Sequence, residues 1–258
     1  MHVLAIMGSP NKKGHTYKVT REVEAAMQAL GEVEFTYLFL RDVNLEPCRG
    51  CFQCVTKGEQ RCPIKDDDRE AIVQQMAAAD GVILASPNYV GAVSGLTKAF
   101  IDRLAYVCHR PAFFGKDAMV ISTSAGPYGL DKVLEYLTLP LIAWGFKTRH
   151  KVGVVAHPLA PSPKSERESA RAIKAAAAGF YRALAAPTRP APSFSQLMQL
   201  RAMRLNASLA KDDFPADYAY YIEQDPFAGM KITLPQELML DLQEAMMKRF
   251  YRQNFIVS

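Results

Sequence analysis

Residues 3–16 read VLAIMGSPNKKGHT, a short apolar run followed by a loop of small, polar and basic residues. The apolar part, Val3–Met7, has the length and composition of a buried strand. After the loop, Thr16–Leu30 is an amphipathic stretch that favours a helix. A buried strand, a tight loop and an amphipathic helix in this order predict the first unit of a parallel α/β sheet.

The same alternation of apolar runs and amphipathic stretches continues to about His157. The strand candidates are Val3–Met7, Val33–Phe39, Gly81–Ser86, Ala118–Thr123 and Val152–Ala156. The helix candidates are Thr16–Leu30, Asp68–Ala78, Ser94–Val107, Leu130–Ala143 and Lys164–Ala185. Strands buried on both faces that alternate with helices predict a parallel sheet covered on both sides. The pattern therefore predicts an α/β, flavodoxin-like, doubly wound five-stranded sheet.

The composition changes after Ala186. Residues 187–192 read PTRPAP, which cannot sustain a helix or a central strand and predicts a stiff linker. Beyond it lie the segments Ser193–Ala210 and Leu234–Phe255, the second with a helix start signal at Thr233. We therefore expect a flavodoxin-like domain over residues 1–186 and a linker with a mostly helical extension over residues 187–258.

Charge and hydropathy exclude some classes of partner. The net charge is +5, and Lys and Arg are spread along the chain rather than gathered in the patch that is typical of nucleic-acid binders. No apolar stretch approaches the roughly 20 residues that span a membrane, and the first residues lack the features of a signal peptide. We expect a cytoplasmic protein without nucleic-acid or membrane partners.

The loop after the first strand has the composition of a phosphate cradle. Backbone N–H groups at a helix N-terminus attract anions, and small residues allow a close approach. The side chains that can donate to a phosphate are Ser9, Asn11, His15 and Thr16. Neither a Gly-x-Gly-x-x-Gly fingerprint nor a Walker loop is present. The alternative is a plain strand-to-helix turn that Thr16 caps.

Two further loops leave the third and fourth strand candidates at the same edge of the expected sheet. In doubly wound folds, ligands bind outside the carboxyl ends of the strands. The candidate contacts with a flat ring are Pro87, Asn88, Tyr89, Val90 and Gly91. Thr123, Ser124 and Gly126 form a candidate third wall. Each loop is a weak signal alone, but three at one edge of a sheet indicate a binding site.

Four of the five cysteines lie close together, in the run PCRGCFQC and a following RCP. They are Cys48, Cys51, Cys54 and Cys62, and their spacing suits convergence on a metal or cluster. Three interpretations stay open: a [4Fe–4S] cluster, a four-thiolate zinc site, and thiols that bind no metal.

The quoted loops resemble those of the flavodoxin-like NADPH-dependent FMN reductase family, and the cysteine run resembles its iron–sulfur flavoprotein branch. The resemblance covers roughly residues 1–185 and implies bound FMN. By position, Ser9, Asn11, His15 and Thr16 would hold its phosphate, residues 87–91 would line its ring, and Thr123, Ser124 and Gly126 would close the other side. It also implies a homodimer or homotetramer. Asn11 stands where many relatives carry Arg or Lys, a charge that Lys12 or Lys13 could supply.

The expected function is that of an FMN-dependent NAD(P)H oxidoreductase. FMN would accept a hydride from NAD(P)H and pass electrons to a small-molecule or protein acceptor, so we assign no catalytic side chain. Two alternatives have no substrate turnover of their own: a flavodoxin-type electron carrier and a thiol-based redox sensor.

Overall fold

The computed structural model describes residues 1–188, 191–225 and 232–255; Arg189 and Pro190 of the predicted linker lie outside these ranges. The strands are β1 (His2–Met7), β2 (Glu34–Phe39), β3 (Gly81–Pro87), β4 (Asp117–Ser124) and β5 (Lys147–Val155). The helices are α1 (His15–Gln28), α2 (Gln53–Thr56), α3 (Arg69–Ala78), α4 (Gly95–Arg103), α5 (Ala105–His109), α6 (Leu130–Ala143), α7 (Pro163–Leu184), α8 (Phe194–Leu209), α9 (Pro215–Tyr218) and α10 (Leu234–Asn254). Glu59–Arg61 forms a 3₁₀ turn and Ala219–Glu223 a π-helical turn.

The strands form one parallel sheet in the order β2-β1-β3-β4-β5. This is the flavodoxin order, in which the chain reverses its winding direction between β1 and β3. The predicted fold class is therefore confirmed. The register pairs Met7 with Ala85 and Pro87 with Thr123, so β1, β3 and β4 end side by side at one edge.

The core on one face of the sheet lies under α1 and α7. Val19, Val23 and Met27 of α1 are buried there, as are Ile173 and Phe180 of α7. The sheet residues that face these helices include Val3, Ala5, Met7, Ile83, Ala85, Met119 and Ile121. Because full burial of each large apolar side chain stabilises the fold by about 1.5–3 kcal/mol, this face holds the strand ends in a fixed arrangement.

The fifth strand is longer than its apolar pattern indicated. The sequence predicts a strand over Val152–Ala156, but β5 begins at Lys147. The added residues are polar, and β5 is an edge strand, where charged side chains such as Arg149 can remain exposed. Apolar periodicity therefore missed the first half of β5.

The single helix predicted over Ser94–Val107 is wrong. The chain forms two helices there, α4 and α5, and the break falls at Leu104, whose φ of −100° and ψ of 18° leave the helical region. Leu104 is completely buried, so tertiary packing overrides a pattern that is apolar enough to continue as a helix.

The chain divides into two compact units. The first contains residues 1–48, 66–104 and 112–191, and therefore the whole sheet. The second contains residues 49–65, 105–111 and 192–258, so it includes two segments from within the first 186 residues. In the second unit α8 packs beside α10, and Arg201 pairs with Asp241 at 2.9 Å. None of the helices in the described ranges is both long and apolar enough to cross a membrane.

Candidate functional site

The three predicted loops meet at the carboxyl edge of the sheet. The backbone N–H of Asn88 donates to Thr123 O at 2.7 Å, which joins the loop after β3 to the end of β4. The hydroxyl groups of Thr16 and Thr123 lie 2.7 Å apart in a buried hydrogen bond that joins α1 to the end of β4. The structure thus brings Thr16, Asn88 and Thr123 together.

The loop after β1 is ordered by its own side chains. Ser9 Oγ accepts from the Asn11 N–H at 3.2 Å, and Asn11 Oδ1 accepts from the Lys13 N–H at 3.0 Å. Ser9 and Thr16 are buried, whereas Asn11 and His15 are exposed. Helix α1 begins after Gly14, which has no side chain to cap it, so its first N–H groups are suited to an anion.

Three basic side chains lie at this loop: Lys12, Lys13 and Arg41, whose guanidinium donates to Pro10 O at 2.5 Å. Lys12 forms an ion pair with Asp42, and its Nζ lies 5.3 Å from the ring centroid of Phe39. The Asp42 carboxylate therefore neutralises part of the Lys12 charge. Lys13 is exposed. The stretches 8–16, 86–95 and 123–129 contain no Asp or Glu. A phosphate would therefore meet no acidic side chain from the loops that the sequence assigns to it.

Ser94 links two of the loops, and its role was not predicted. Its hydroxyl donates to Gly8 O at 2.6 Å and accepts from the Thr97 N–H at 3.1 Å, so it both caps α4 and holds the end of β1. Gly8 is required there, because a Cβ atom would lie 1.9 Å from Thr97 Oγ1. A Ser as the first residue of a predicted helix is a capping signal that could have identified this residue.

The loop after β3 ends in a tight turn. Tyr89 and Ala92 exchange backbone hydrogen bonds of 2.9 and 3.0 Å, with Val90 and Gly91 at the tip. Val90 has a φ of +54°, which is a strained conformation for a β-branched residue, and its side chain is fully exposed. Strain of this kind persists where the surroundings require it and is concentrated at ligand sites.

Asn88 and two glycines shape the space beside this turn. The Asn88 side chain donates to Ser124 Oγ at 3.1 Å and to Tyr128 O at 2.6 Å, and it accepts from the Gly91 N–H at 2.9 Å. Gly129 has a φ of +75°, and a Cβ there would lie 2.8 Å from Gly91 Cα. At Gly126, by contrast, no described atom lies within 4 Å of the Cβ position. A ring could therefore approach the backbone at Gly126.

Three of the predicted metal ligands, Cys51, Cys54 and Cys62, lie in residues 49–65 of the second unit, which we call the cysteine segment. Cys51 is exposed, Cys54 is half-buried and Cys62 is buried, and Cys48 belongs to the first unit. Within the described ranges, no three His, Cys, Asp or Glu side chains are arranged to hold a metal ion. The described conformation therefore does not gather three of the cysteines at one point, and we derive no electron-transfer step through a cluster.

A buried arginine holds the cysteine segment, and sequence reasoning missed it. The Arg110 guanidinium donates to the carbonyl oxygens of Cys54 and Val55 and to Glu59, and it forms an ion pair with Asp217. Both Arg110 and Asp217 are buried. No local motif indicates this contact, because Arg110 and Asp217 are 107 residues apart in the chain.

The chain on either side of the cysteines is anchored within the first unit. The Asn44 N–H donates to Asp68 Oδ2 at 2.7 Å, and the Asn44 side chain donates to Asp66 O at 2.9 Å. Asp67 accepts two bonds from Arg103 of α4, at 2.6 and 3.0 Å, and the two side chains are only 3% and 2% exposed. The acidic residues after the cysteines are therefore structural anchors.

The strand order, together with the linked loops at the ends of β1, β3 and β4, defines a flavodoxin-like protein. Residues 1–158 match the model of the family described as NADPH-dependent FMN reductase, and the chain belongs to this family. This confirms the resemblance found in the sequence.

Curated relatives carry the name iron-sulfur flavoprotein. One from Methanocaldococcus jannaschii is 44% identical over 105 residues, which cover 40% of this chain and 51% of that protein. Another from Archaeoglobus fulgidus is 36% identical over 149 residues, which cover 56% of this chain and 64% of that protein. The matches thus span about half to two thirds of the length of these relatives.

Solved structures share the fold at low sequence identity. An NADH:FMN oxidoreductase in its apo form has a TM-score of 0.51 and 23% identity, and the match covers 69% of this chain and 89% of that chain. An FMN-dependent NADH-azoreductase from Bacillus anthracis, solved in complex with FMN, has a TM-score of 0.53 and 14% identity, with 70% and 100% of the two chains covered.

Proposed function

We propose that the protein is an FMN-dependent oxidoreductase that takes electrons from NAD(P)H. The observation that carries this proposal is that Thr16 at the start of α1, Asn88 after β3 and Thr123 at the end of β4 are joined by hydrogen bonds. These loops contain no acidic residue, and they surround the uncapped start of α1 and the open backbone at Gly126. Membership of the FMN reductase family supports the same assignment.

The residues present fit FMN. His15 and Thr16 are the first two residues of α1, and Ser9 and Asn11 lie in the loop before it. These four residues would hold the phosphate. Residues 87–91 would line the ring, and Thr123, Ser124 and Gly126 would close the opposite side. When bound, FMN supplies the hydride and single-electron chemistry, while the chain positions it and sets the polarity around it.

The electron donor and the acceptor belong to the proposal. The family is described by its use of NADPH, and the structural neighbours named above are described by their use of NADH, so either nucleotide is a candidate. The acceptor would be a small molecule or a protein, and the assembly a homodimer or homotetramer. No side chain in the three loops forms an acid–base pair or nucleophilic triad, so we assign no catalytic residue.

A [4Fe–4S] cluster on Cys48, Cys51, Cys54 and Cys62 stays a proposal, supported by the cysteine spacing and by the names of the relatives. The alternatives are zinc and metal-free thiols. Iron should be quantified on anaerobically purified protein. About four irons per chain would support the cluster, whereas an iron content near zero would leave the thiol or zinc interpretation.

Steady-state turnover tests the proposed function. Purified protein that contains FMN should oxidise NADH or NADPH continuously when a free quinone or ferricyanide is supplied. An electron carrier or a redox sensor would show almost none. Absence of turnover with both nucleotides and both acceptors would reject the enzyme proposal while leaving FMN binding intact.

Two glycine substitutions test where FMN lies. Gly126→Ala should leave the flavin-free fold unchanged, because its Cβ meets no described atom within 4 Å, yet it should weaken FMN binding at the proposed ring site. Gly129→Ala is the matched comparison: its φ of +75° and its close contact with Gly91 should lower stability itself. Unchanged FMN affinity in Gly126→Ala would remove this loop from the flavin site.

A further inference from the structure

The second unit contains a cavity of about 350 Å³ that the flavin proposal does not use. Residues of α5, α8, α9 and the end of α10 line it, and all belong to the second unit. Its apolar lining consists of Met203, Ala207, Leu209, Ala210, Phe214 and Phe255. Ligand pockets typically measure about 300–1,000 Å³, so this cavity can accept a small molecule.

A buried carboxylate orients the histidine in this cavity. Asp217 Oδ1 accepts from the Arg110 guanidinium, and Asp217 Oδ2 lies 2.8 Å from His109 Nδ1. Because a carboxylate paired with arginine acts as an acceptor, we assign the Nδ1 proton of His109 to this bond. When the ring is neutral, Nε2 then carries a lone pair that can accept a hydrogen bond from a ligand.

Further contacts fix the position of His109 before any ligand binds. The Phe214 ring stacks on the imidazole with centroids 6.3 Å apart and an interplanar angle of 11°. The Tyr221 hydroxyl donates to His109 O at 2.6 Å, and burial raises the pKa of Tyr221, so this donor keeps its proton. His109 is therefore a preorganised acceptor in a mainly apolar cavity.

The remaining polar groups narrow the class of ligand. Asp213 and Asp217 disfavour an anion. The Arg110 charge offsets that of Asp217, and Asp213 is exposed, where solvent screens its charge, so no strong preference for a cation arises. The Tyr251 hydroxyl donates to Asn206 Oδ1 at 2.5 Å, which satisfies that donor within the wall. Aromatic rings and a methionine favour a flat ligand.

We propose that this cavity binds a small, uncharged aromatic alcohol whose hydroxyl group donates to His109 Nε2. The apolar walls would bury the ring, and the histidine would select molecules that carry a donor. This site is distinct in composition from the proposed flavin site, and its occupation does not depend on flavin chemistry.

Calorimetric titration of the 258-residue chain with p-cresol and with 4-methylanisole tests the proposal. The two probes share the same ring, but only p-cresol has a hydroxyl donor. We expect saturable binding of p-cresol and at least about tenfold weaker binding of 4-methylanisole, because a lone pair left unsatisfied in an apolar cavity is costly. This comparison needs no variant. Equal affinities, or no saturable binding of p-cresol, would overturn the proposal.

Two variants then locate the site. His109→Phe should lower p-cresol affinity to the level of 4-methylanisole and leave 4-methylanisole binding unchanged. Ala210→Trp should fill the cavity and abolish binding of both probes while Asp217 still holds His109. Circular dichroism and flavin content confirm that each variant is folded. Unchanged p-cresol binding in either folded variant would place the ligand elsewhere and reject the assignment.

Discussion

The loops after β1, β3 and β4 in the first unit and the cysteine segment in the second unit are stabilised in different ways. Backbone and hydroxyl hydrogen bonds join the loops, as between Thr16 and Thr123 and between Ser94 and Gly8. The cysteine segment instead depends on the buried charge of Arg110. Neutral contacts leave the loops suited to an anion, whereas the cysteine segment depends on the ion pairs that Arg110 forms with Glu59 and Asp217.

The largest loss of stability should come from breaking the buried ion pair between Arg103 and Asp67, which anchors the chain after the cysteines. Arg103→Met leaves Asp67 as an unpaired buried charge and should lower the free energy of unfolding by about 3–5 kcal/mol. Lys98→Met, on the same helix but in an exposed pair with Asp102, should cost less than about 1 kcal/mol. Denaturant unfolding measures both. Similar small losses would show that the buried pair is not an anchor.

Arg110→Met should loosen the cysteine segment selectively. The variant loses the hydrogen bonds to Cys54 O, Val55 O and Glu59, which destabilises this segment, whereas Asp217 keeps its contact with His109. We therefore expect the thiol of Cys62, which is buried, to react at least about tenfold faster with a thiol reagent. Arg204→Met removes an exposed pair in the same unit and is the control. Equal labelling rates in the two variants would show that Arg110 does not hold the cysteine segment in place.

Thr16→Val tests the neutral contacts of the loops. It removes the bond to Thr123 and a hydroxyl donor beside the phosphate loop, so FMN affinity should fall about tenfold, or 1.4 kcal/mol. Thr20→Val removes a buried hydroxyl bond one turn further along α1 and should leave FMN affinity unchanged. Equilibrium titration of flavin-free protein measures both. Ser9→Ala should also weaken binding, and equal affinities in all forms would reject the phosphate cradle.

Relieving the strain in the turn after β3 should have a smaller effect, and it should raise the stability of the protein rather than lower it. Asn tolerates a positive φ better than Val. Val90→Asn should therefore raise the free energy of unfolding of the flavin-free protein by about 1 kcal/mol. It should also weaken FMN binding, because the Val90 side chain is proposed to contact the ring. A more stable variant with unchanged FMN affinity would show that the strain has no role in binding.

The smallest predicted effect is a pH dependence of folding stability that arises from His150. Burial lowers its pKa below the ordinary 6.5, with Arg149 acting in the same direction. The unfolded chain then binds more protons than the folded one just below pH 6.5, so stability should be complete above that pH and fall as the pH drops towards the folded-state pKa. His150→Gln should flatten this part of the stability curve. An equally steep curve in the variant would assign the effect to other groups.

The sequence predicted the fold and the loops because both are local patterns. Short apolar strands, amphipathic helices and the small residues of the loop after β1 lie in continuous stretches. The polar half of β5 and the break at Leu104 were missed because edge position and burial decide them. Arg110 and Asp217 could not be found, since their contact joins distant parts of the chain.

The cysteines show the limit of spacing as a guide. Their spacing suits a cluster, yet no metal-holding arrangement of three ligands exists within the described ranges. Spacing predicts which thiols can converge, whereas the loop conformation decides whether they do. The assignments of individual flavin contacts likewise remain predictions.

Flavin quantification on the purified protein, before and after incubation with FMN, is the most direct test of the proposed flavin site. We expect flavin absorption bands and about one FMN per chain, released on denaturation and identified by chromatography. Protein that carries no flavin as purified and takes up none from excess FMN would contradict the assignment of the loops after β1, β3 and β4.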